Sequence, residues 1–354
     1  MARSILVAEG LAKREDNFLL LRVIAALLVI YGHSFHLAPR GGLTEIFIAS
    51  GWGIYSGDIA VDMFFVISGF MVAGSYIRQP DLWEFMKARI LRIVPGYLAW
   101  LIIAALVLGP MFTAMPLGEY FRQPDVWHYV TDNLKFSSDM RFLLPGVFAA
   151  NPHPVVNGSL WTLPAEFRMY VFVAVLGATG ILSHRRLVTS AVFGLVVIGM
   201  ITPWNLPLHP DWVRLAGYFS IGILVFVFKD EIRISSAGLL AIAFAAYLCR
   251  GLDVYPIVFA LALTYFCFWF AYIPKIPRLD AYGDPSYAIY LWGWPIQQIY
   301  VEAMPQSVSA TNFVLSAATA VIVGYISWYL VEKPCLRLKT VFSRKSPAVA
   351  RSGM

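Results

Sequence analysis

Apolar residues in this chain come in long runs, not in alternation. Ten stretches approach the ~20 mostly apolar residues that cross a bilayer as a helix. They cover roughly 18–37, 58–77, 90–109, 160–182, 187–203, 212–228, 236–250, 254–273, 284–303 and 311–331. Several are interrupted by Pro or Gly. The pattern predicts an all-α fold, a polytopic membrane helix bundle of about ten transmembrane helices. One connection is much longer than the rest, and residues 110–158 are expected to form a long outer loop. The chain then divides into an N-terminal segment, 1–17, a transmembrane domain, 18–332, and a basic tail, 333–354. No repeat of 20–50 residues is evident, nor the inverted halves found in many transporters.

Composition agrees with the pattern. Mean hydropathy is +0.68. Charged residues are 14 %, against about 25 % in soluble domains. An even number of spans puts both termini on one side, and the basic residues choose the side. With the N-terminus inside, twenty Lys and Arg fall on inner segments and six on outer ones, with Arg168 inside a helix. Both termini are therefore expected in the cytoplasm, with the protein in the inner membrane. The same rule accounts for the net charge of +6. It leaves no reason to expect nucleic acid; membrane lipid is the expected surrounding. No cleavable signal peptide is expected, because the first apolar run is long and no small-residue cleavage site follows it. Cys249, Cys267 and Cys335 show neither disulfide nor metal-ligand spacing, and no metal is expected.

The first span carries polar residues that lipid would penalise. Arg22 and His33 are 11 residues apart. At about 100° and 1.5 Å per residue they lie within ~20° of one face, ~16 Å apart along the axis. His36 is near the same face and closer to water. A charge at the bilayer centre costs ~2.5–3.5 kcal/mol on insertion scales, so this stripe should face protein or a cavity. Snorkelling by Arg22 and a helix-packing hydrogen bond from His33 are the plainer explanations. The second span adds Asp58 and Asp62, four apart on one face. Its Ser68 has the chemistry of a nucleophile but no base beside it in sequence; the Ser68–Gly69 pair suits close helix packing. The fourth adds Trp161 and Glu166. Judged by depth alone, His33, Asp62 and Glu166 share the outer third of the membrane, where a carboxylate would orient the imidazole. Arg89 and Arg92, at i, i+3 near an inner helix start, suit phosphate recognition, with positive-inside anchoring as the alternative. In the outer loop, "DVWHYV" sets Trp127 and Tyr129 where they would either stack on a sugar ring or anchor the interface; Trp161 has the same two readings.

Taken together these blocks resemble acyltransferase family 3 of membrane proteins, from the first span to "VEKPCLRL". Arg22 and His33 match its R-x10-H pattern, "VDMFFVISGF" its second-helix block, and Arg89 and Arg92 its RxxR element. "NGSLWTLPAEF" matches the block with Trp161 and Glu166, and "SYAIYLWGWP" the late SYxxYLxHxP block. Gly293 stands where many relatives have His, so no role of that second histidine transfers. The resemblance implies acyl transfer, usually of acetyl, from acyl-CoA in the cytoplasm. The acceptor implied is a hydroxyl of an envelope glycan or lipid-linked sugar at the outer face. On that reading Arg22, Arg89 and Arg92 serve acetyl-CoA, while His33 is the base, with Asp62 or Glu166 orienting it. His36, Trp161, Trp127 and Tyr129 serve the acceptor. A proton-coupled transporter or glycan flippase is the alternative, since intramembrane His, Asp and Glu also build proton relays. A third is a binding module with degenerate motifs; the intact Arg22, His33, Arg89, Arg92 and Glu166 argue against it.

Overall fold

A computed structural model describes residues 4–13, 15–201, 210–277 and 280–341. Residues 202–203 of the fifth expected span and the tail beyond 341 lie outside them.

A helix stands at each of the ten expected places. They are α1 (Phe18–Leu37), α2 (Ser56–Arg78), α3 (Leu82–Ile103), α4 (Thr162–Ala178), α5 (Arg185–Ile201), α6 (Pro210–Val227), α7 (Ser236–Leu248), α8 (Tyr255–Tyr272), α9 (Ser286–Ala303) and α10 (Ser309–Ser327). Six segments are long and apolar enough to cross a membrane. Four of them are α1, α2, α8 and Gly158–Ala178, which contains α4; the other two extend α3 to Phe112 and α10 to Lys339. The chain is thus a helical membrane bundle. Exposed Leu240, Phe244, Val314, Ile322 and Leu330 on α7 and around α10 suit a lipid-facing rim.

Two pairings show which helix ends lie together. Strand β1 (Ser4–Leu6) pairs antiparallel with β2 (Arg233–Ser235), with α1 to α6 between them. At the other end of α1, Pro39 and Arg40 pair with Val308, just before α10. Of the ten helices named above, six separate the first pair and eight the second, an even number in each case. That fits an up-and-down order.

α2 is the central helix. Within its spanning window 78 % of residues are buried, against 17–50 % for the other five. Its closest neighbour is α6. A Cβ added at Gly69 would fall onto the Phe219 carbonyl oxygen, and one at Gly222 onto that of Val66. Small residues at both crossing points let the backbones touch, as the Ser68–Gly69 pair suggested. A Gly69→Val variant is therefore expected to lose ~1–3 kcal/mol by overpacking. Thermal unfolding in detergent would show it as a lowered Tm; an unchanged Tm would mean the crossing is looser than drawn.

Segment 110–158 is folded, and part of it lies along the bundle's flank. The helix Pro124–Asn133 packs beside α3. Tyr120 donates to the Ala105 carbonyl, and Tyr97, deep in α3, to that of Asn133. Phe136 stacks on Phe167 of α4, centroids 5.0 Å apart. Arg141 bridges Asp125 and Asp132. Hydrogen bonds from Lys135 and Arg141 hold the Asp132 carboxyl down at about 2. Tyr129 is fully buried on this flank. It is a packing residue in this structure, contrary to its expected place on an acceptor surface. Trp127 is 49 % exposed and open to a ligand.

Candidate active site

A cavity of about 290 Å³ lies between α1, α2, α3, α4 and α9. Its polar lining includes Arg22, Ser68, Arg89, Arg92, Thr162, Glu166, Tyr170, Asp284 and Tyr290, with Lys339 from beyond α10. Arg22, Ser68, Arg89, Arg92 and Glu166 stand out in the sequence; Asp284, Tyr170 and Lys339 do not.

The arginines are not equivalent. Arg22 Nη1 and Arg92 Nη2 share one carboxylate oxygen of Asp284, at 2.9 and 2.7 Å. The second oxygen of Asp284 accepts from the Ser286 backbone N–H and hydroxyl, which ties the ion cluster to the start of α9. Arg89 makes no ion pair among the described residues. Its guanidinium lies 5.7 Å from the ring centres of both Phe85 and Tyr170, and its buried Nε has no hydrogen-bond partner. A buried donor left unpaired costs ~1–3 kcal/mol, so it calls for an acceptor from outside the chain. Four cations face two carboxylates around the cavity, which leaves it electropositive.

Tyr170, one turn deeper on α4, donates to Glu166. Ser68 stands beside the same phenol on the cavity wall. Gly69 meanwhile faces α6. The paired residues thus serve two different faces of α2.

At its other end the cavity is closed by Thr162 and Tyr290. Tyr290 donates to the Ser159 carbonyl at 2.9 Å and lies 2.7 Å from Thr162 Oγ1. His33 is beyond this closure, off the cavity wall. Its ring meets Trp294, one turn of α9 past Tyr290, edge-on with centroids 4.7 Å apart. Trp294 is itself held by donation to the Val155 carbonyl. Exposed His36 stacks on His153 at 3.9 Å, on the side towards the chain before α4. Gly293 packs on Ile30, whose side chain a Cβ would meet at 2.7 Å.

The expected face on α1 is present: Arg22 reaches Asp284 just before α9, and His33 reaches Trp294 on α9. The expected trio of His33, Asp62 and Glu166 is not. Asp62, with Asp58, pairs with Arg214 of α6. Glu166 faces the arginine cavity. His33 Nδ1 is buried with no hydrogen-bond partner among the described residues, so neither carboxylate orients the ring; Trp294 flanks it instead. Trp161 is partly buried, and its carbonyl accepts from Trp212. Among the described residues no group of three His, Cys, Asp or Glu is placed to hold a metal ion.

Residues 16–331 match the sequence pattern of the family described as an acyltransferase domain. The chain belongs to that family. This acyltransferase is also similar to an O-acetyl transferase of Shigella phage Sf6. The two are 27 % identical over 360 residues, covering 93 % of this chain and 96 % of the phage protein. It is 25 % identical to nodulation protein 10 of Rhizobium leguminosarum bv. viciae over 379 residues, covering 95 % and 97 % of the two chains. No solved structure matches the acyltransferase.

Proposed function

We propose that this acyltransferase moves an acetyl group from cytoplasmic acetyl-CoA to a hydroxyl of an envelope carbohydrate at the outer face of the inner membrane. All ten helices cross in this reading, with both termini in the cytoplasm. The observation that carries it is the electropositive cavity with one uncommitted, partly buried guanidinium. Arg89 binds the donor's phosphate groups. Arg22 and Arg92, held by Asp284, line the passage and keep it positive. The name of the phage relative supports the O-acetyl product.

His33 acts as general base in this reading. It takes the proton of the acceptor hydroxyl, whose oxygen attacks the thioester carbonyl; the thiol of CoA leaves. Such assistance is worth ~10²–10⁴-fold. The Thr162–Tyr290 closure must open for thioester and imidazole to meet. Glu166 moves from the role of orienting His33 to the donor cavity. Exposed Trp127 and His36 lie where the acceptor approaches. The ion pair of Asp62 with Arg214 weighs against a transporter, because it commits the most buried carboxylate near the outer end to a structural partner.

Mass spectrometry of envelope glycans, with and without the gene, tests the reading. The expected result is loss of a 42 Da increment, roughly one acetyl per modified sugar, in the strain without the gene. Glycans of identical mass would refute it. In purified protein, Arg89→Ala should raise the KM for acetyl-CoA by about tenfold or more while leaving the fold intact, as expected for one lost charge-assisted contact. An unchanged KM would return Arg89 to simple membrane anchoring.

A further inference from the structure

The start of the basic tail is not free. Lys333–Val341 forms a helix, α11, continuous with α10 through a wider turn at Trp328–Glu332, and it packs against α3. Leu336 and Lys339, three apart and so on one face, line the same cavity as the arginines. Lys339 is exposed, while Arg22 and Arg92 keep only 21 and 16 % of their side-chain surface in contact with solvent. The lysine therefore stands at the mouth and the arginines inside.

Charge is distributed along this path in two places. Asp284 balances part of the charge of Arg22 and Arg92. Two cations have no carboxylate partner among the described residues: Arg89 within the cavity and Lys339 at its rim. A ligand complementary to both carries two separate anionic groups, one deep and one close to water. A nucleotide thioester has this layout. Its pyrophosphate adjoins the thioester arm, and a phosphate monoester sits on the ribose at the far end.

We infer that Lys339 binds the ribose phosphate monoester of the donor, while Arg89 takes the pyrophosphate. This rests on the acetyl-CoA reading above. The residue types fit the two sites. A planar guanidinium suits the confined pyrophosphate, and an ammonium on a flexible stem suits a solvated dianion at the rim. α11 is thereby a specificity element that selects the 3′-phosphorylated donor.

The test uses the full-length protein in detergent with two donors, acetyl-CoA and acetyl-3′-dephospho-CoA. Wild type should show a KM about tenfold higher for the dephospho donor, the size of one charge-assisted contact. Lys339→Ala should raise the KM for acetyl-CoA to a similar value, leave the dephospho donor unchanged, and keep kcat. Lys339→Arg should retain most of the preference. A purely structural role for α11 would shift both donors alike, and that result overturns the inference. So does an Ala variant that keeps the wild-type preference, or a wild type without one; either leaves acetyl-CoA as donor. A wild-type protein that uses neither donor removes the donor reading itself, and the inference with it.

Discussion

Replacing His33 by alanine is expected to lower acetyl transfer by ~10²–10⁴-fold, the range for loss of a general base. The effect should fall on kcat and kcat/KM together, since the proton is taken only as the transition state forms. Donor binding should change little, because His33 lies off the cavity wall, beyond Tyr290 and Thr162. The fold should also hold. The imidazole gives up an edge contact with Trp294, and its Nδ1 has no hydrogen bond to lose. His36→Ala should do less harm, since that ring is exposed, stacks on His153 and lies farther from Trp294 than His33 does, at 6.3 against 4.7 Å. Steady-state kinetics on purified variants decides. Near wild-type turnover in His33→Ala would pass the role of base to His36, His153 or a carboxylate.

The largest loss of stability is expected from Asp284→Ala. This one carboxylate receives Arg22 and Arg92 and also accepts from the Ser286 N–H and hydroxyl at the start of α9. Removing one partner of a buried ion pair typically costs ~3–5 kcal/mol, because the other charge is left uncompensated. Here two guanidinium groups would be left, both still touching some solvent, so ~3 kcal/mol is the fitting expectation. Loss of the two bonds to Ser286 adds ~1 kcal/mol. Asp284→Asn keeps an oxygen for Ser286 but no charge, and should fall between Ala and wild type. Thermal unfolding of the three proteins in one detergent gives the order. Equal Tm values would mean that the arginines find other partners and that Asp284 does not organise the site.

Much of this arrangement is written in local spacing. The 11-residue step from Arg22 to His33 puts both on the side of α1 that meets α9. The i, i+3 step of Arg89 and Arg92 brings both to one cavity. Asp58 and Asp62, at i, i+4, do share a partner. What spacing cannot carry is the partner's identity. Arg214 reaches the two aspartates only because Gly69 and Gly222 let α2 and α6 approach to backbone contact, which fixes their register. Glu166 departs from its expected place for a related reason. Depth below Trp161 suggested company for His33, but the carboxylate is drawn one turn deeper by Tyr170 and faces the arginines. In sequence Tyr129 has the setting of a surface aromatic, because its segment has the length of an outer loop. That segment packs along α3 and buries the ring. Trp294 belongs to the block SYAIYLWGWP, but only the three-dimensional path of α9 shows that it flanks His33.

The central claim is that the donor enters from the cytoplasm, past Lys339 and Arg89, while the acceptor waits on the opposite side. Sealed membrane vesicles of known orientation test it directly, because acetyl-CoA does not cross a bilayer. Given acetyl-labelled CoA from outside, inverted vesicles, which expose the cytoplasmic face, should incorporate label into envelope glycan. Intact right-side-out vesicles should incorporate none until permeabilised. Incorporation by intact right-side-out vesicles, with none by inverted ones, would contradict the account.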